Sequence, residues 1–170
     1  MRKKIFLSLL LICVMTLNFT SNSEGKKPAK GDSGKKGIMI TLTSKEYGFN
    51  SDGISLSLYE KGTKSEWSAA SGGLNREKGD FVQGAKSVNI YLCYDMCKKP
   101  WTKTGDYILE LFISYQGGTN DYFYFTNGQE LSDLGINKGR EDRIRPENLN
   151  KLPTYNLKAS GNTIDIDKFR

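Results

Sequence analysis

Apolar and polar residues alternate along most of this chain. Ile38, Ile40 and Leu42 interleave with Met39, Thr41 and Thr43; Ile54, Leu56 and Leu58 with Ser55, Ser57 and Tyr59; Val88, Ile90 and Leu92 with Asn89, Tyr91 and Cys93. A period of two puts each set on its own face of an extended segment, so each stretch predicts a strand with one apolar face. Residues 107–115 differ, with Leu109, Leu111 and Ile113 on one side and Ile108 and Phe112 on the other. That predicts a central strand, buried on one face and partly covered on the other. Residues 116–120, with two glycines, turn the chain into Tyr122-Phe123-Tyr124-Phe125, a hairpin partner. Residues 163–167 alternate again, with Ile164 and Ile166 inward.

No segment carries a helical stripe; residues 130–134 and 146–149 have room for one turn each. Residues 129–161 read as a long polar insertion, with charges gathered between Lys138 and Arg145 and prolines at 146 and 153. A loop of that length in a small domain is functional or disordered. The fold class is all-β, a single antiparallel β-sandwich of about seven to eight short strands with little helix. An outer-membrane barrel needs repeated strands of about ten residues with a lipid-facing apolar band, and only residues 107–115 approach that pattern.

The N-terminus sets the expected compartment. Arg2, Lys3 and Lys4 precede an apolar run over residues 5–17, and small polar residues follow at Thr20, Ser21, Asn22 and Ser23. This is signal-peptide grammar, with residues 1–23 removed on export to the periplasm, the cell surface or the medium. The run falls short of the roughly 20 residues a spanning helix needs, so the mature chain is expected to have no transmembrane span. Lipidation at Cys13 is disfavoured by the bulky Ile12 before it. Residues 24–36 (EGKKPAKGDSGKK) form a basic, flexible linker, and residues 37–170 form the domain.

Charge changes the picture once it is located. The chain carries +6, of which the signal segment holds three and the linker a net three, leaving residues 37–170 neutral. A nucleic-acid binder concentrates positive charge on its folded surface, so nucleic acid is excluded as a partner.

Candidate chemistry is sparse. Cys93 and Cys97 are too far apart in sequence for a C-x-x-C redox centre, and without histidine a zinc site lacks ligands. In an oxidising compartment the pair is expected to close a small disulfide at the end of a strand, a stapled turn worth about 2 kcal/mol. The absence of histidine also removes Ser-His-Asp and Cys-His machinery, so no cofactor, metal or common catalytic constellation is implied. Glu110, set between Leu109 and Leu111, needs a partner if its strand is central. Asp121, Asp165 and Asp167 are the acids for an alternative calcium site at a sheet edge.

What remains is aromatic. Tyr59, Tyr91, Tyr94, Tyr122 and Tyr124 fall on the less apolar strand faces, and Trp67 and Trp101 in or near loops. Trp67, Trp101, Tyr91, Tyr122 and Tyr124 are the candidate binding residues, since flat rings with polar handles suit proteins and sugars alike. Cross-strand tyrosines also stabilise sheets without binding anything.

The stretch Pro100-Trp101-Thr102, then Thr104-Gly105-Asp106-Tyr107 and an apolar strand, resembles the P-W/F-T-G-x-G-x-Y lead-in of β-rich modules in bacterial surface and secreted proteins. The resemblance continues through Phe125-Thr126-Asn127-Gly128 and a last strand of T-I-x-I-x-x-F type at residues 163–169, covering the C-terminal half. Lys103 stands where those modules have glycine, and the 129–161 insertion separates the last two pieces. The resemblance implies fold and location; the modules have no assigned activity. The expected function is therefore an exported, non-enzymatic module that binds an envelope or extracellular protein. A carbohydrate-binding module and a small carboxylate-dependent hydrolase resting on Glu110 are the alternatives.

Overall fold

The computed structural model describes residues 36–45, 48–63 and 67–170. The expectations for the signal segment, for Cys13 and for the linker up to residue 35 lie outside the described residues. Among the described residues the chain forms ten strands: β1 Met39–Thr43, β2 Gly53–Glu60, β3 Ala70–Asn75, β4 Ser87–Tyr91, β5 Cys93–Tyr94, β6 Lys99–Pro100, β7 Gly105–Ser114, β8 Asn120–Tyr124, β9 Tyr155–Leu157 and β10 Asn162–Asp165. One helical turn, α1 Pro146–Leu149, and a 3-10 turn, Ile166–Lys168, complete the order. The result is an all-β sandwich of two mostly antiparallel sheets, as the alternation predicted. The strand number exceeds the expected seven to eight because β5, β6 and β9 are only two or three residues long.

The small sheet runs β10-β1-β4, and the large one β6-β5-β3-β2-β7-β8, with β9 also pairing β7. One pairing departs from the antiparallel expectation: β1 and β10 run parallel, Ile40 opposite Asn162 through Thr43 opposite Asp165. The inner faces meet in one core, with Ile40, Leu42 and Ile90 from the small sheet against Leu56, Leu58 and Leu109 from the large one, all fully buried. Each such aliphatic side chain contributes about 1.5–3 kcal/mol of burial.

β4 and β5 are one continuous run of chain that leaves the small sheet at Leu92 and joins the large one at Cys93, opposite Ser71 of β3. This corner accounts for Gly72. A Cβ there would come within 2.6 Å of Ile90 Cγ2 and closer still to the Tyr91 carbonyl oxygen. β3 was not visible in the sequence because its two central positions are glycines, Gly72 and Gly73, which interrupt the alternation.

β7 lies between β2 and β8, and all five residues from Tyr107 to Leu111 are buried. Its inner residues join the main core, while Ile108 and Glu110 face outward beside Tyr59 of β2 and Tyr124 of β8. The insertion read as a polar loop supplies their cover. Ile136, Ile144, Leu149 and Leu152 pack on Tyr59, Ile108 and Tyr124 as a second buried cluster, with Leu131 and Leu134 at its margin. The cap and the C-terminal residue together seal the sheet edge, since Tyr122 N–H donates to the Arg140 carbonyl at 2.9 Å and Tyr124 exchanges backbone bonds with Arg170.

Candidate functional site

Two places bring unusual groups together: the stapled hairpin at the corner of the sandwich, and the buried carboxylate beneath the cap.

The hairpin pairs Cys93 with Pro100 and Tyr94 with Lys99. Pro100 is tolerated because an edge strand needs no donor on its open side. Three backbone bonds anchor the root in a ring: Leu92 N–H to Ile38 O at 2.9 Å, Ile38 N–H to Trp101 O at 2.8 Å, and Trp101 N–H to Leu92 O at 3.0 Å. At the tip, Cys93 and Cys97 form a disulfide with their Cα atoms 4.8 Å apart. Asp95, Met96 and Cys97 all adopt positive φ, at 52°, 53° and 65°. The left-handed region costs an L-residue about 1–2 kcal/mol, so this tip is locally strained.

Around this turn, Tyr94, Trp101 and Tyr107 form an edge-to-face series with ring centroids 5.9 and 6.1 Å apart. Ammonium groups sit over three rings: Lys36 over Tyr91 at 5.0 Å, Lys99 over Tyr94 at 5.7 Å and Lys103 over Trp101 at 5.2 Å. Trp67, 84% exposed, shares with Trp101 the wall of a depression of about 340 Å³.

Beneath the cap, Glu110 is 4% exposed and fully bonded. Its Oε1 accepts from the Tyr59 hydroxyl at 3.1 Å and from Arg143 Nη2 at 2.9 Å. Its Oε2 accepts from the Tyr124 hydroxyl at 2.7 Å and from Arg143 Nε at 3.2 Å. Tyr59 in turn accepts from Arg143 Nη2, and Tyr124 accepts from the Ile144 N–H at 2.9 Å. The buried acid that the sequence required to have a partner thus has three, and Arg143 comes from the cap. A cavity of about 220 Å³ adjoins the cluster, walled by Arg145, Pro146 and Leu149 among others.

Burial, reinforced by the Glu110 charge, raises the Tyr59 and Tyr124 phenols well above the ordinary tyrosine value. Hydrogen bonding to Glu110 raises the Arg143 guanidinium in the same sense. A tyrosine whose folded pKa lies above its unfolded value of about 10 contributes stability that is complete below pH 10 and declines as pH rises past it. Tyr107, Tyr115 and Tyr155 act in the same direction, while Lys138, lowered by burial, acts in the opposite one. The domain is therefore expected to lose unfolding free energy between about pH 10 and pH 12, and the Tyr59→Phe/Tyr124→Phe variant to lose less. Urea titrations across that range check it; equal slopes for the two proteins would refute the assignment.

The expected binding residues separate by placement. Tyr91 is exposed and Tyr122 half-buried, its ring 5.1 Å from Phe112, and Trp67 is open to solvent. Trp101 is a correction: at 5% exposure it belongs to the main core, because the hairpin root folds it inward. Tyr124 is another, fully buried with its hydroxyl committed to Glu110 and Ile144. Tyr94 and Met96 were absent from that set, although their place between two cysteines spaced to close a small ring was a usable signal. The three acids of the calcium alternative do not converge: Asp121 lies on β8, whereas Asp165 and Asp167 sit at the end of β10. Among the described residues no group of three or more His, Cys, Asp or Glu side chains is placed to hold a metal ion. No helix among them is long and apolar enough to cross a membrane.

Comparison of the chain with models of known protein families, with curated proteins and with solved structures finds no match.

Proposed function

We propose that this chain is an exported, non-enzymatic binding module whose stapled hairpin engages a protein partner in the envelope or outside the cell. The observation that carries the reading is the grouping of exposed apolar side chains. Of the five large ones exposed among the described residues, three (Tyr91, Tyr94 and Met96) fall within six residues, and Trp67 borders the depression over Trp101; Val82 lies elsewhere. Concentrated exposed apolar surface marks interaction sites more often than isolated residues do. Backbone strain retained at the same turn supports the reading, since strain of that kind collects at binding sites.

A protein is favoured over a neutral glycan because sugar stacking needs a bare ring face. One face each of Tyr91, Tyr94 and Trp101 already carries an ammonium. The hydrolase alternative needs a second carboxylate opposite the first. What faces Glu110 is two phenols and a guanidinium, which leave neither oxygen idle.

The test uses the tagged full chain in a pull-down from envelope extract. Tyr94→Ala/Met96→Ala is expected to lose a specific partner at least about tenfold, the loss typical of truncating two central contact residues, with only a small fall in its thermal midpoint from the lost Tyr94–Trp101 ring contact. Retention of the same partner by wild type and variant alike would defeat the reading. No change in Trp fluorescence is expected with a panel of neutral glycans.

A further inference from the structure

The charge pattern at the hairpin narrows what kind of surface it meets. Four cations elsewhere in the domain are matched to acids, Lys45 with Asp165 at 3.1 Å, Arg76 with Asp52 at 3.0 Å, Arg143 with Glu110 at 2.9 Å and Arg170 with Glu130 at 3.3 Å, while Lys61, Lys78, Arg140 and Lys158 form no ion pair among the described residues. At the hairpin, Lys36, Lys98, Lys99 and Lys103 form no ion pair among the described residues. Three of them rest over aromatic rings instead, and Asp95 is the only acid between residues 91 and 103. Residues 91–103 carry three lysines against one acid, whereas residues 37–170 as a whole carry no net charge.

We infer that the partner presents an acidic polypeptide segment to this end, one that sets its carboxylates against Lys98, Lys99, Lys36 and Lys103 and its apolar side chains against Tyr94 and Met96. The inference rests on the reading that the hairpin binds a protein. Carboxylates arriving there break no internal ion pair, so the Coulomb gain is not offset by a lost one. Ring and methionine surface supplies contact area, while the ammoniums select the sign of the partner and speed encounter. An anionic bilayer has the same sign but suits the site less well. Insertion needs a continuous apolar wedge, and between residues 91 and 103 only Met96, 93% exposed, stands clear, whereas Tyr91 and Tyr94 have ammoniums over their rings.

The experiment compares the full chain with Lys98→Glu/Lys99→Glu/Lys103→Glu and with a control of equal charge change, Arg140→Glu/Lys151→Glu/Lys168→Glu. The probes are poly-L-glutamate, vesicles containing phosphatidylglycerol, and the partner captured from envelope extract. The hairpin triple is expected to lose poly-L-glutamate binding and partner capture by at least about tenfold, the control by less than about threefold, with both interactions weakening as salt rises. Equal losses in the two triples would mean unspecific attraction and overturn the inference. Vesicle binding that depends on the hairpin lysines, with partner capture indifferent to them, would assign the site to a membrane and also overturn it. Capture abolished by Tyr94→Ala/Met96→Ala but untouched by charge reversal would leave a protein-binding hairpin and reject the acidic partner. Capture unaffected by either set would remove both readings.

Discussion

Arg143→Ala is expected to destabilise the domain by about 2–4 kcal/mol, and Glu110→Gln by less, about 1–2 kcal/mol. The asymmetry follows from where the two charges sit. Glu110 is buried in the middle of β7, while half of the Arg143 side chain reaches solvent. Removing the arginine leaves a desolvated carboxylate with only two phenols, and breaking a buried pair in this way costs about 3–5 kcal/mol when both partners are dry. The exposure of Arg143 lowers that range. Glutamine at 110 keeps an acceptor for a phenol and lets the arginine turn to water. The damage should be local at first, because Arg143 ties the cap, not the sandwich, to the sheet. Proteolysis within residues 129–161 should accelerate before urea unfolds the remainder. Urea midpoints for the two variants check the order, and a costlier Glu110→Gln would show that the buried charge is not what holds the cap down.

Gly72→Ala is expected to cost about 3 kcal/mol, against less than about 1 kcal/mol for the adjacent Gly73→Ala. Neither glycine needs a positive φ, so the difference isolates space. At Gly72 the added carbon meets the Tyr91 backbone and Ile90 Cγ2 where the chain changes sheets. These neighbours belong to strand backbone and a fully buried side chain, so neither yields without opening the corner that positions the hairpin. At Gly73 the nearest atoms, Ile54 O and Ser55 Cβ, are 3.4 Å away on the exposed face. Near-equal urea midpoints for the two variants would show that the sheets do not meet as described.

The cap shows why part of this molecule was legible early and part was not. Alternation along β1, β2, β4 and β7 depends on nearest neighbours, so the strands and their inward faces could be read from spacing alone. The cap has no such period. Its apolar residues, Ile136, Ile144, Leu149 and Leu152, are unevenly spaced among charges and buried by a surface contributed from β2, β7 and β8. One clue was present: residues 107–115 are apolar on both sides, which demanded a cover, and the insertion was the segment long enough to give it. The same limit applies at the hairpin. Exposed rings in the sequence marked Trp67 and Tyr91, but whether a ring faces water or core is settled by the turn of the chain, and Trp101 and Tyr124 turned inward.

The sequence by itself determined the all-β class, the disulfide spacing, the neutrality of residues 37–170 and the absence of imidazole chemistry, because each depends on composition or short-range periodicity. Only the tertiary structure decided that Glu110 is clasped by Arg143 from 33 residues away and that four lysines without acid partners share one end with Tyr94 and Met96. Those facts depend on which surfaces meet once two sheets and a cap exclude water, and such meetings are fixed by packing over the whole domain, not by any window of the chain.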